Sequence, residues 1–121
     1  MGTYEFLEHT ADEKFKVTAP SMSDGFATCV RAFYEILLGK EYSVKNNTTK
    51  EIILKAKKIE SLLYDFMNEL VFHMDDADLL LPNVVSLHIE KKDDGYHYLE
   101  AELSGDKRFD YELLTEIKNM T

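Results

Sequence analysis

The chain has 121 residues, enough for one domain with a single hydrophobic core and too few for a second domain. Its 14 Lys and Arg against 23 Asp and Glu give a formal net charge of −9, so its averaged field repels phosphates and anionic membranes. We therefore expect no direct binding of nucleic acid or membrane, whereas a basic protein partner or a divalent cation fits this charge better.

Cys29 is the only cysteine, which excludes an internal disulfide and zinc-type cysteine pairs and favours a reducing compartment. The first residues lack the basic and then apolar pattern of a signal peptide. The sequence also has no run of about 18 apolar residues that could span a bilayer. These features predict a cytoplasmic protein.

The chain begins with two short strands separated by a polar loop. Residues 4–7 are mainly apolar, and residues 15–19 alternate between apolar and polar side chains, which is the period of a strand. The loop between them, Glu8-His9-Thr10-Ala11-Asp12, has no Gly or Pro and carries a histidine, a hydroxyl and a carboxylate. Taken alone, such a loop is more often a solvated turn than a binding site.

Two amphipathic helices are predicted, because apolar residues recur at spacings of three and four positions. The first helix begins at a cap, Ser21 or Ser23, and ends at Gly39. Its apolar stripe is Phe26, Cys29, Val30, Phe33, Ile36 and Leu37, which makes Cys29 a buried structural thiol rather than a nucleophile. The stripe of the second, longer helix is Ile59, Leu62, Leu63, Phe66, Met67, Leu70, Val71 and Met74.

The opposite side of the second helix carries Asp65, Glu69 and His73 at four-residue spacing, followed by Asp75 and Asp76. A metal ion could use such a ladder of ligands. The favoured interpretation is the solvated face of an amphipathic helix, with a modest pairing of Glu69 and His73.

Three further strands are expected. One covers residues 51–56, and two others, around residues 85–90 and 98–103, form a hairpin across Asp93-Asp94-Gly95. A three-residue loop places Ile89, Leu87 and Val85 opposite Leu99, Ala101 and Leu103, and it places His88 opposite Glu100 as a cross-strand pair. A two-residue loop would put Ile89 opposite Glu100, which breaks the apolar pairing. The segment 79–83 is predicted to be a short buried run followed by a turn, and residues 114–118 are a candidate last strand.

Three segments resemble the archease family. The opening Tyr4-Glu5-Phe6-Leu7-Glu8-His9-Thr10-Ala11-Asp12 resembles its E-H-T-A-D signature, and residues 61–70 are similar to its L-L-Y-x-x-L-x-E-L helix. Leu114-Thr115-Glu116-Ile117-Lys118 resembles its T-E-[IV]-K-A-[VI]-T motif, with Asn119-Met120 in place of Ala and a branched residue.

The resemblance spans essentially the whole chain, with departures at two places. Glu13 stands where the family usually has an apolar residue. Family members also carry a longer, His-containing loop before the last motif and continue past it with a Y-H motif, another hairpin and a terminal acidic residue. The expected domain is therefore 1–121, a single archease-like domain without the C-terminal part of the family domain.

The element pattern predicts an α+β fold, with two amphipathic helices packed on a mostly antiparallel sheet in the order β-β-α-β-α-β-β-β. The resemblance implies a non-catalytic protein cofactor that helps an RtcB-type RNA ligase to become guanylylated and to turn over in tRNA splicing and RNA repair. It also implies a divalent cation, which is calcium, magnesium or manganese. In that case Asp12 is its principal ligand, His9 shapes the loop, and Lys118 contributes nearby.

Two alternatives remain open at this point. One is a small metal-dependent enzyme in which Asp12 and His9 hold a catalytic ion, although the sequence has no phosphate-binding Gly loop and no nucleophile with an evident base. The other is an interaction module that pairs through a sheet edge.

Overall fold

The structure is a computed structural model that describes residues 3–7, 14–18 and 21–114. In chain order its elements are β1 (Thr3–Leu7), β2 (Lys14–Thr18), α1 (Met22–Leu38), β3 (Thr48–Ala56), α2 (Ile59–Asp76), β4 (Leu79–Lys91), β5 (His97–Lys107) and a 3₁₀ turn at Arg108–Asp110. Strands β1 and β2 form an antiparallel pair, and a second antiparallel sheet has the order β3-β5-β4. The predicted α+β fold is confirmed. Most of the predicted last strand, residues 115–118, lies outside the described residues.

Helix α1 has the ends that its sequence predicts. Ser21 is the N-cap, and its hydroxyl accepts a hydrogen bond from the backbone N–H of Asp24 at 3.2 Å. Asp24 also places a negative charge in the first turn, where the helix dipole favours it. Gly39 ends the helix, and its N–H donates to the Glu35 carbonyl at 2.8 Å.

The core lies between the two helices and one face of the β3-β5-β4 sheet. Helices α1 and α2 both contact β4, and the rings of Phe26 and Phe66 stack between the helices at a centroid distance of 5.9 Å. Most of the two predicted stripes is buried, but Ile36, Ile59 and Leu63 are only half-buried. Neither helix, within the described parts of the chain, is long and apolar enough to cross a bilayer.

Tyr34 is a core residue that the stripe of α1 did not include. Its side chain is fully buried, and its hydroxyl accepts the backbone N–H of Leu81 in β4 at 2.9 Å. Burial raises the pKa of the Tyr34 phenol above its ordinary value, so the hydroxyl stays protonated. Tyr34 therefore joins α1 to β4 through both packing and a hydrogen bond.

The turn predicted at Pro82-Asn83 is wrong, because β4 continues through it from Leu79 to Lys91. The register between β4 and β5 shifts between Leu80 and Asn83, and Pro82 lies in this irregular stretch, where a missing ladder N–H is tolerated. Facing it, Gly105 allows a close approach, since a Cβ there would lie 1.6 Å from the Leu80 carbonyl oxygen.

The β4–β5 hairpin confirms most of the predicted register. Ile89, Leu87 and His88 lie opposite Leu99, Ala101 and Glu100. The loop has Gly95 in the left-handed region, with φ of 84°, and its N–H donates to the Lys92 carbonyl at 3.0 Å. The prediction for Val85 is wrong: a second register shift between Val84 and Ser86 puts Val84 opposite Leu103 and leaves Val85 58% exposed.

Candidate functional site

The opening loop connects the two strands of the β1–β2 pair. In that pair Leu7 lies opposite Lys14, so residues 8–13 form the connection at its end. Asp12 and His9, the predicted metal ligand and loop residue, lie in this connection, outside the described residues. Both strands contact α1. The structure therefore fixes the flanks of the loop on α1.

The C-terminal motif follows a segment that also contacts α1. Lys118 lies outside the described residues, which end at Leu114 before the motif continues. The Leu114 N–H donates to the carbonyl of Leu37, in the last turn of α1, at 2.7 Å. A Cβ on Gly39 would lie 3.1 Å from the Leu114 side chain. The chain that leads to Lys118 is thus bound to the C-terminal end of α1.

Tyr111 fixes the segment that leads to residues 115–121, which we call the tail. The Tyr111 hydroxyl donates to Asp106 Oδ2 at 3.0 Å and accepts the backbone N–H of Lys45 at 3.0 Å. One hydroxyl therefore joins β5, the segment before the tail, and the connection between α1 and β3. The backbone N–H of Lys107 and the Tyr111 hydroxyl hold the pKa of Asp106 below its usual range, against the effect of burial.

A second set of side-chain hydrogen bonds fixes the same connection. The amide of Asn83 donates to the Val44 carbonyl at 3.0 Å and also to Asn46 Oδ1. The Ser104 hydroxyl donates to the same Asn46 oxygen at 2.7 Å. Asn46 was not predicted to make these contacts. Its local signal is a place in a polar, turn-rich segment, and its partners Asn83 and Ser104 are 37 and 58 positions away.

The described residues contain no cluster of three or more His, Cys, Asp or Glu side chains that could hold a metal ion. The ladder on α2 forms the predicted pair, with Glu69 Oε2 and His73 Nε2 3.7 Å apart. Burial lowers the pKa of His73, and Glu69 opposes this shift. Cys29 is buried, and burial raises the pKa of its thiol to about 11, which suits a structural residue.

The outer face of the sheet carries opposite charges and aromatic rings. His88 lies opposite Glu100 as predicted, but the carboxylate near its ring belongs to Glu90 on the same strand, with Nε2 and Oε2 3.8 Å apart. Lys92 Nζ lies 4.4 Å from the centre of the Tyr98 ring. The Tyr98 hydroxyl bonds to Asp94, which lowers the pKa of that carboxyl and raises the pKa of the phenol.

Comparison with known proteins decides the family. A model of the archease protein family matches residues 4–121, which includes the opening loop and the C-terminal motif. The chain belongs to the archease family. The resemblance seen in its three motifs is thereby confirmed.

Curated relatives of this archease match nearly its full length. Protein archease of Methanosarcina mazei is 29% identical over 120 residues, which cover 98% of this chain and 81% of the relative. Protein archease of Methanothermobacter thermautotrophicus is 26% identical and covers 100% of this chain and 85% of the relative. The solution structure of Methanobacterium thermoautotrophicum protein 1598 matches with a TM-score of 0.75 at 24% identity, covering 98% of this chain and 83% of the other. It supports the α+β fold.

Proposed function

We propose that this archease is a non-catalytic protein cofactor of an RtcB-type RNA ligase in tRNA splicing and RNA repair, where it promotes guanylylation and turnover of the ligase. The observation that carries the proposal is the family match over residues 4–121. We place this activity in the cytoplasm.

The charge of the chain supports a protein partner over an RNA partner. At a net charge of −9, the chain repels the RNA backbone. An enzyme that holds two RNA ends needs basic surfaces, and those surfaces attract an acidic protein. We therefore expect binding to the ligase that weakens as salt concentration rises, and no micromolar binding to tRNA alone at physiological salt. Fluorescence anisotropy with labelled tRNA checks the second expectation.

We further propose that Asp12 is the principal ligand of a divalent cation, calcium, magnesium or manganese, with His9 shaping the loop and Lys118 contributing from the tail. A carboxylate oxygen is the ligand that these hard cations prefer. The bound ion supplies positive charge next to the loop. The contacts of the flanking residues support a common site for the opening loop and the tail, because β1, β2 and Leu114 all contact the same helix, α1.

The test is the Asp12→Ala variant in a ligation assay with the ligase limiting, so that only turnover gives further product. We expect the variant to keep its fold and to lose the stimulation of multiple-turnover ligation. Asp93→Ala, which removes an exposed carboxylate from the hairpin loop, is the matched control and should stimulate fully. Full stimulation by Asp12→Ala would remove this carboxylate from the mechanism.

Metal binding is measured separately by calorimetric titration with calcium, magnesium and manganese. The unchanged chain should bind one of the three ions, and Asp12→Ala should weaken that binding at least tenfold. Equal affinity in the two proteins would assign the ligands to other residues. No specific observation among the described residues favours the alternative of a small metal-dependent enzyme.

A further inference from the structure

Helix α2 carries two large aromatic side chains on the side that faces away from the core. Tyr64 is 47% exposed and Phe72 is 53% exposed. They are eight positions apart, so they project about 80° from each other around the helix axis and about 12 Å apart along it. Asn68 lies midway between them. We call Tyr64, Asp65, Asn68, Phe72 and Asp75 the outer face of α2.

An exposed phenylalanine does not suit a face that serves only solvation. The acidic ladder of α2 predicts a face of polar side chains in water, but Phe72 is a large apolar side chain and is 53% exposed. Exposed Tyr and Phe side chains become strong contacts when a partner buries them, because they bring large apolar area with little loss of rotamer freedom. The outer face therefore offers two anchor points to a protein partner.

The charge on α2 has one sign. The helix contains no Lys or Arg, and its acidic residues are Glu60, Asp65, Glu69, Asp75 and Asp76. Two of them, Asp75 and Asp76, lie at the C-terminal end, where the helix dipole disfavours negative charge. Arg108 lies 3.7 Å from Asp75 and donates to the Met74 carbonyl, whereas Asp65 and Asp76 have no ion pair within the described parts of the chain. A cationic partner would offset the negative charges of Asp65 and Asp76.

We propose that the outer face of α2 is the docking surface for a basic segment of the ligase, one whose apolar side chains cover Tyr64 and Phe72 while its Lys or Arg side chains meet the acidic residues. This inference rests on the proposed function, because it names the surface through which that partner binds. The aromatic rings supply the desolvated centre of the contact, and the carboxylates supply steering and register.

Charge disfavours the other occupants of this face. A second copy of the chain would form a two-fold contact that sets the acidic residues of α2 against themselves. RNA and an anionic bilayer carry the same sign of charge as the helix. A basic protein surface is the partner that gains from both the rings and the carboxylates.

The outer face of the sheet provides a matched control, because it exposes apolar side chains of similar extent. Ile53 is 63% exposed and Val85 is 58% exposed. Its charges, however, are of both signs, with Lys55 and Lys92 lying over tyrosine rings. A partner selected by negative charge and exposed rings therefore gains little there.

The experiment compares Tyr64→Ser/Phe72→Ser with Ile53→Ser/Val85→Ser in the full chain, by calorimetric titration against the RtcB-type ligase of the same organism. We expect the α2 pair of substitutions to weaken binding at least tenfold and the sheet pair to change Kd less than threefold. Asp65→Lys should also weaken binding, and more so at low salt, whereas Glu100→Lys on the sheet should not. Circular dichroism melting confirms that each variant is folded, and the exposed positions favour this outcome.

The outcomes separate this inference from the proposed function. If the unchanged chain and the α2 variants bind the ligase with equal affinity, the docking surface is overturned and the ligase remains the partner. A loss of binding confined to the sheet variants would move the surface to the sheet and also overturn the inference. No binding by the unchanged chain would overturn both proposals together.

Discussion

The packed body of this archease and its two motif segments differ in what their sequences specify. The body consists of α1, α2 and the β3-β5-β4 sheet, and its buried side chains form one continuous core. Outside the body, the motif segments are residues 8–13, which connect β1 to β2, and residues 115–121, which follow Leu114. Because the roles proposed for Asp12, His9 and Lys118 are contacts with an ion or a partner, substitutions in the two regions should have separable effects on stability and on ligase stimulation.

The largest loss of stability is expected from a substitution in the body. Phe66 is fully buried and stacks on Phe26, so Phe66→Ala removes apolar contacts and leaves a cavity. We expect a loss of about 3 to 5 kcal/mol in the free energy of unfolding. Urea unfolding followed by circular dichroism measures it. A loss below about 1 kcal/mol would mean that α2 does not pack as described.

Gly105→Ala tests the close approach between β5 and β4. The added Cβ would lie 1.6 Å from the Leu80 carbonyl oxygen, so one backbone must move. We expect a loss of about 1 to 3 kcal/mol, as for other overpacked sites. Gly95→Ala is a useful comparison, since its added Cβ meets no atom within 4 Å and its cost comes only from the φ of 84°. Equal melting temperatures for Gly105→Ala and the parent would contradict the described contact.

Tyr111→Phe tests the connection between the body and the tail. The substitution keeps the ring and removes the hydroxyl that accepts the Lys45 N–H. A loss of about 1 to 3 kcal/mol is expected, because the substitution removes both hydrogen bonds of the hydroxyl. The pKa of Asp106 should rise toward its ordinary value, because one donor to its carboxylate is gone. Chemical-shift titration of the carboxyl carbon measures this, and an unchanged pKa would exclude the described bond.

A small pH effect is expected from His73. Burial lowers its pKa in the folded protein, so the folded state prefers the neutral ring. The resulting stability is present above the ordinary pKa of about 6.5 and is lost as pH falls through the lowered value. His73→Gln should flatten the pH dependence of the melting temperature in that range. An unchanged profile would assign the dependence to other groups.

The smallest effect on stability is expected at Asp12. Asp12→Ala should stay within about 1 kcal/mol of the parent, because a carboxylate that serves an ion or a partner, as proposed above, contributes little to packing. Paired with the loss of ligase stimulation proposed above, this result would separate function from fold at the opening loop. A variant that unfolds would instead give Asp12 a structural role.

Residue periodicity predicted most of the body because it reports which side of an element is buried. The stripes of α1 and α2 predicted most of the buried positions, and the alternation in the hairpin predicted Ile89 opposite Leu99. The cap at Ser21 and the end at Gly39 depend on neighbouring residues alone, so they were also predictable. The outcome differs at the rim of the core, where the half-burial of Leu63 depends on what packs beside it.

The candidate site also combines residues that the sequence identified with residues that it did not. Asp12, His9 and Lys118 were identified through motifs, and they remain predictions. The residues that anchor their flanks were not identified, because Tyr111, Asp106 and Lys45 meet across separations of up to 66 positions. No local pattern encodes such a contact.

By itself, the sequence determined the family, the two helices and the order of the described strands, since each depends on local pattern or on motif. Only the tertiary structure decided the bulged course of β4, the buried hydroxyl of Tyr34 and the exposure of Phe72. The physical reason is common to all three. Whether a backbone can continue through a proline, whether a phenol finds a donor, and whether a ring is covered depend on neighbours that the chain brings together only when it folds.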